Sequence, residues 1–334
     1  MNLTPSRMRP SQPDRSTHAR NTLETFRPQH GASSLPEKYS DLAKLHLPHV
    51  LCRASGPTTS LEDNHSLVSW TFPDDNLLSE VMLRFHQWVE LHGDPIIDPA
   101  LNSHWESVCK HIQSDQYTDE GRIFEICVLI VLLVSQLITR VAKTRGHNIY
   151  AGHAWSPLKN GVEVGKALCI FHDVPLYDIP LENPPLEPRF LSGVPVELKQ
   201  DTTLLANLGA YVEGVNRLPD CETLEGGAAI FAKLDLQREG FLESSRKDGA
   251  ESRYGAVFSG THLVLVEWVE AEPRTSDGTM WMRHSAILDV AGRNPTTSFI
   301  AILIGILLPS SQIPYPPVNR DSTGFRALHV AMRR

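Results

Sequence analysis

Apolar and polar residues change their period several times along this chain, and each change predicts an element. Leu77, Val81, Phe85 and Trp88 recur at helical spacing behind the start signal Pro73-Asp74-Asp75. Leu101, Trp105, Val108 and Ile112 line one face of a second helix. A third begins near Thr118-Asp119-Glu120, runs to about Lys143, and is apolar on nearly all sides from Ile126 to Ile138, which predicts a helix lying under other elements. The texture then turns to strands, at 148–155 and 162–172, followed by a connector holding Pro175, Pro180, Pro184, Pro185 and Pro188. That connector is expected to stay out of any central strand. Asp201-Thr202-Thr203 caps a helix carrying Leu204, Leu208, Tyr211 and Val215, and another helix spans about 225–237. Two β-rich runs, Tyr254 to Phe258 and His262 to Val269, flank Ser259-Gly260 as a hairpin. A third strand is expected from Trp281 to Val290, and a last helix from Ser298 to Leu308.

The most informative run is Val194-Pro195-Val196-Glu197-Leu198-Lys199. Its alternation is that of a strand, so Glu197 and Lys199 share a face, roughly 7 Å apart at two rises of about 3.3 Å. A carboxylate there can hold a divalent cation, and an ammonium beside it can orient a water or steady a developing negative charge. The plain alternative is a strand with one solvated face.

Composition narrows the classes. The chain has 334 residues, 41% hydrophobic and 21% charged, as ordinary globular proteins do. A net charge of -8 argues against non-specific coating of nucleic acid. The 5 cysteines are scattered with no C-x-x-C pair, which points to a reducing, intracellular setting (cytoplasm or nucleus) and to neither a zinc knuckle nor a disulfide framework. The apolar run 126–138 falls short of the ~20 residues needed to span a bilayer, so no stable membrane insertion is expected. Residues 1–62 are rich in Pro, Ser, Thr, Arg and His and read as a disordered tail; 63–145 form a helical segment packing on the core; 146–310 form the α/β core; 311–334 read as a C-terminal tail. The fold class expected is α+β, a central mixed β-sheet flanked by helices.

The order of elements, with Val196-Glu197-Leu198-Lys199 on a strand, Gln237 near the end of the next helix, and the hairpin Gly255-Ala256-Val257-Phe258-Ser259-Gly260, resembles the restriction-endonuclease-like fold of the PD-(D/E)xK nucleases. More narrowly, residues 160–308 resemble the region preceding the kinase lobes of fungal-type protein kinases; the kinase motifs themselves do not occur in the chain. The resemblance implies Glu197 as a metal-binding carboxylate, Lys199 as the catalytic lysine, Gln237 as a helix residue near the site, and Glu125 as a counterpart of a first-helix acid. It implies Mg²⁺ as cofactor and nucleic acid as partner. The family's acid on the preceding strand falls here at Ala167-Leu168, which cannot bind a cation. Asp173 and Asp178, just beyond that strand, or Glu163 before it, are the substitutes. Two functions follow: a metal-dependent phosphodiesterase using Glu197, Asp173 and Asp178 as ligands, or a catalytically inactive interaction or regulatory module of the same fold with a protein partner. Tyr254, Phe258, His262 and Trp268 could stack bases and Arg238, Arg246 and Arg253 could meet phosphate, although core packing and an ordinary charged loop are the simpler expectations.

Overall fold

A computed structural model describes residues 71–92, 99–114, 149–151, 158–159, 162–163, 173–178, 189–199, 225–270, 280–291 and 298–318, with single helical positions between 123 and 138 and at 204. The tail 1–62, residues 164–172 of the strand expected at 162–172 and most of the helix expected after Asp201 lie outside the described residues.

Among the described residues one mixed sheet of eight strands forms the centre. In chain order the elements are β1 (Thr71–Pro73), α1 (Leu77–His92), α2 (Pro99–Ser114), β2 (Ile149–Ala151), β3 (Leu158–Lys159), β4 (Val162–Glu163), β5 (Asp173–Asp178), β6 (Arg189–Leu198), α3 (Glu225–Ser244), β7 (Tyr254–Phe258), β8 (His262–Glu270), β9 (Met280–His284), β10 (Leu288–Asp289) and α4 (Phe299–Leu307). The sheet order is β1-β9-β8-β7-β6-β5-β2, with β10 beside β8, while β3 and β4 pair separately. β5 and β6 are antiparallel, β6 and β7 parallel, and β7, β8 and β9 antiparallel. α3 joins the parallel pair β6 and β7, as a parallel connection requires. The α+β expectation holds.

The strands are two-faced because their side chains alternate. Val194, Val196, Leu198, Tyr254, Ala256, Phe258, Leu263 and Leu265 pack with α1, α4 and the buried helical residues Ile123, Cys127, Ile130, Leu133, Val134, Leu137 and Ile138. On the other face Val257, Val264, Val266, Trp268 and Met282 pack against Ile230, Phe231 and Leu234 of α3. Three layers result, with the sheet in the middle. Ser298 caps α4, accepting from the Ala301 amide. Among the described residues no helix is long and apolar enough to cross a membrane.

Several local expectations change. The expected strand 281–290 is two strands: Ser285 accepts from the Leu265 amide through its side chain and donates to the Ala286 carbonyl, and beyond this interruption β10 resumes antiparallel pairing with β8, one residue out of the β9 register. Pro175, expected to stay out of any central strand, lies inside β5, opposite Gly193. The reason is local. Among the described residues β2 pairs with β5 only at 176–178, so no described strand lies beside β5 at Pro175 on that side and its missing N–H interrupts no described ladder. β1 is not predicted at all, yet it pairs in parallel with β9. α3 continues past Gln237 to Ser244 because Phe241 is still buried there. Residues 311–318, read as a tail, pack on the core, with Ile313 fully buried.

Candidate functional site

β6 and α3 together build a polar centre inside the sheet–helix interface. β6 sends Val196 and Leu198 toward α1 and α4, so period two turns Glu197 and Lys199 toward α3. Lys199 follows the last residue of β6, and its backbone N–H donates to the Phe258 carbonyl at 3.0 Å, which extends the register with β7. On α3, Lys233 and Gln237 stand four residues apart and so occupy one face a turn apart.

All three side chains meet at Glu197. The ammonium groups of Lys199 and Lys233 lie 2.6 and 2.9 Å from Glu197 Oε1. Gln237 Nε2 donates to Glu197 Oε2 at 2.9 Å. The Glu197 side chain has 0% of its surface exposed, against 11% for Lys199 and 28% for Lys233. The centre therefore opens to solvent along its lysines and is closed at its acid. Burying a carboxylate without partners would cost several kcal/mol, and two cations with an amide donor offset that cost.

The structure brings Glu197, Lys199 and Gln237 together and adds Lys233. The signal for Lys233 is its spacing from Gln237: once Gln237 is placed on the helix face toward Glu197, the residue one turn earlier shares that face.

The acids behave differently. Asp173 is not beyond the preceding strand but begins it, and its Cα pairs with Pro195, two positions before Glu197. Asp178 pairs with Arg189, eight positions from Glu197 and therefore about 26 Å away along the strand. This corrects the expectation that Asp178 shares a cation with Glu197. Glu163 lies in the separate β3–β4 ladder, and Glu125 is outside the described residues.

Mg²⁺ demands several hard oxygen ligands in near-octahedral array. Among the described residues no group of three or more His, Cys, Asp or Glu side chains is gathered that could hold a metal. Glu197 is the carboxylate of the centre, and two ammonium groups already balance its charge.

Most of the other candidate groups belong to the core. Tyr254, Phe258 and Trp268 are buried; Phe258 stacks on Phe299 at 4.4 Å, and Trp268 Nε1 donates to Asp235 at 2.8 Å. Arg238 lies over Trp268 and donates to the Ser252 carbonyl, and Arg253 is paired with Glu267. Arg246 is exposed in the turn after α3, and His262 is partly buried at the start of β8, its Nδ1 3.0 Å from Thr261 Oγ1.

Compared with known proteins, the chain matches no family model and no curated protein.

Proposed function

We propose that this chain is a PD-(D/E)xK nuclease-like protein whose Glu197 centre serves an interaction or regulatory module and not a nuclease. The strand carrying Glu197 and Lys199, the connecting helix carrying Gln237 and the parallel strand β7 support the nuclease-like part of the reading. One observation carries the module part. Both lysines converge on a single oxygen of a carboxylate with no exposed surface, so the acid is engaged by the protein itself. Under this reading the partner is a macromolecule, protein or nucleic acid, that is bound without being cut.

Metal-dependent phosphodiester hydrolysis is the second reading. The register of Asp173, two positions from Glu197 on the neighbouring strand, favours it.

The test is incubation of the full chain with supercoiled plasmid and with single-stranded RNA in Mg²⁺ or Mn²⁺, beside Lys199→Ala and beside chelator. The module reading expects cutting no greater than that of Lys199→Ala, and no saturable Mn²⁺ binding by calorimetry. Cutting that disappears in both Lys199→Ala and chelator overturns it in favour of the phosphodiesterase.

A further inference from the structure

The segment following α4 is fastened through two side chains, Glu251 and Arg84. Glu251 Oε2 accepts from the Ser310 amide at 2.7 Å and from the Tyr315 hydroxyl at 2.7 Å, and Glu251 Oε1 accepts from the Ser310 hydroxyl. Burial would raise the Glu251 carboxyl, but the bonds from Ser310 and Tyr315 and the charge of Arg84 outweigh it and hold the group below its ordinary value. Glu251 is thus an anion whose side-chain hydrogen bonds, among the described residues, come from Ser310 and Tyr315. The ring of Tyr315 lies between two guanidinium groups, Arg84 at 4.2 Å and Arg253 at 4.6 Å, with Tyr254 edge-on at 5.7 Å. Arg84 also donates to the Ile313 carbonyl at 2.9 Å.

The fastening reaches the strand of the polar centre. The Gly193 amide donates to the Glu251 carbonyl at 2.9 Å, and the Glu251 amide donates to the Leu191 carbonyl at 3.1 Å. Both partners belong to β6, which carries Glu197.

We propose that residues 309–315 are a releasable strap and that Ser310 is a modification site at which one phosphate opens it. Ser310 is partly exposed, sits in a turn, and is followed by the exposed Ser311. An ATP-dependent serine kinase would transfer the γ-phosphoryl group to Ser310 Oγ, with ADP leaving and the hydroxyl proton passing to solvent. A hydroxyl that donates to Glu251 thereby becomes a dianion facing a carboxylate, and like charges at that distance repel. The nearby cations are already engaged: Arg84 with the carbonyls of Gly305, Leu308 and Ile313, Arg253 with Glu267. The phosphate meets the carboxylate first. This inference does not depend on the function proposed above.

Hydrogen exchange of the full chain tests it, read by mass spectrometry on wild type, Ser310→Ala, Ser310→Glu and Ser310→Glu/Glu251→Gln. Ser310→Glu is expected to speed exchange in 309–318 and 189–199 by about ten-fold or more, with 230–244 unchanged. Ser310→Ala, which keeps the amide and Tyr315 bonds to Glu251, is expected to change far less. The double variant removes one of the two charges and is expected to regain most of the protection. Equal exchange in Ser310→Ala and Ser310→Glu, or a double variant as open as Ser310→Glu, overturns the proposal. If Ser310→Glu does not fold, a folded and protected double variant supports the repulsion and an unfolded one overturns it.

Discussion

Lys199 and Lys233, one from β6 and one from α3, meet at the same atom, Glu197 Oε1, at 2.6 and 2.9 Å. Sharing one oxygen makes each lysine a substitute for the other. Removing either leaves the buried carboxylate with an ammonium and with Gln237. Lys199→Ala or Lys233→Ala alone is therefore expected to cost about 1–2 kcal/mol, the loss of one charged hydrogen bond. Removing both leaves a buried charge without a cation and is expected to cost about 3–5 kcal/mol, more than the sum of the singles. Urea unfolding of the four proteins of the cycle measures the coupling. Strict additivity would mean that the two lysines act independently of each other and do not substitute for one another at Glu197.

The strand through Glu197 was legible because strict alternation between Val196 and Leu198 has one structural meaning, and its register then follows from which face is buried. Lys233 was hidden for the opposite reason. On α3 the apolar stripe of Ile230, Phe231 and Leu234 dominates, and a lysine beside it reads as solvated until the carboxylate across the interface is known. β1 has no local signal: three residues become a strand only because β9 offers them an edge. The same holds for residues 311–318. Their prolines and serines suggest coil, and their burial comes from Arg84 and Glu251, distant in sequence. Asp178 misled because nearness in sequence says nothing about the direction of an antiparallel partner, which carries it away from Glu197 with every residue.

Arg283 is fully buried and binds three carboxylates, Asp74 at 2.8 Å, Glu80 and Glu267. Burial alone would lower its basicity, but the charges of Glu267 and Glu80 and the hydrogen bonds it donates to Glu80 and Asp74 raise it above the ordinary arginine value. Asp74 directly follows β1 and Glu80 is in the first turn of α1, so this one guanidinium ties the first described elements to the sheet. Arg283→Met is expected to destabilise the fold by about 3–5 kcal/mol, because it leaves Asp74 and Glu267 buried with less compensation. Thermal unfolding gives the size, and limited proteolysis is expected to cut first near residues 71–76. A change below about 1 kcal/mol, the scale of an exposed pair, would show that water replaces the guanidinium at no cost.

Gly305 marks the closest approach of α4 to α1. A Cβ built there would lie 2.6 Å from the Val81 carbonyl oxygen, a backbone atom with no freedom to swing aside. Arg84 Nη1 also donates to the Gly305 carbonyl at 2.8 Å, so separating the helices would stretch that bond. Gly305→Ala improves helix propensity by about 1 kcal/mol, yet overpacking of about 1–3 kcal/mol opposes it. Net destabilisation is expected, growing further for Gly305→Val. Denaturant midpoints of the pair against wild type decide it. A stabilised Gly305→Ala would mean the two helices slide apart freely.

His284 supplies the pH dependence. Its ring is fully buried, stacked on Phe231 at 5.3 Å, with Nδ1 3.1 Å from the Ser285 carbonyl. Burial drives its pKa down to about 4, and the bond to Ser285 only partly opposes the shift. A base with a depressed pKa folds in its neutral form, whereas the unfolded chain takes up a proton near pH 6.5. Stability is therefore complete above about pH 6.5, falls as the unfolded state gains its proton, and stops falling below about pH 4, where the folded state binds it too. The expected loss across that window is on the order of 3 kcal/mol. Carboxylates titrate in the same range, so the variant His284→Phe isolates the effect: the difference in unfolding free energy between it and wild type should shift in the variant's favour as pH drops from 7 to 4. A difference that stays level across that range would mean His284 is already accessible to protons in the fold.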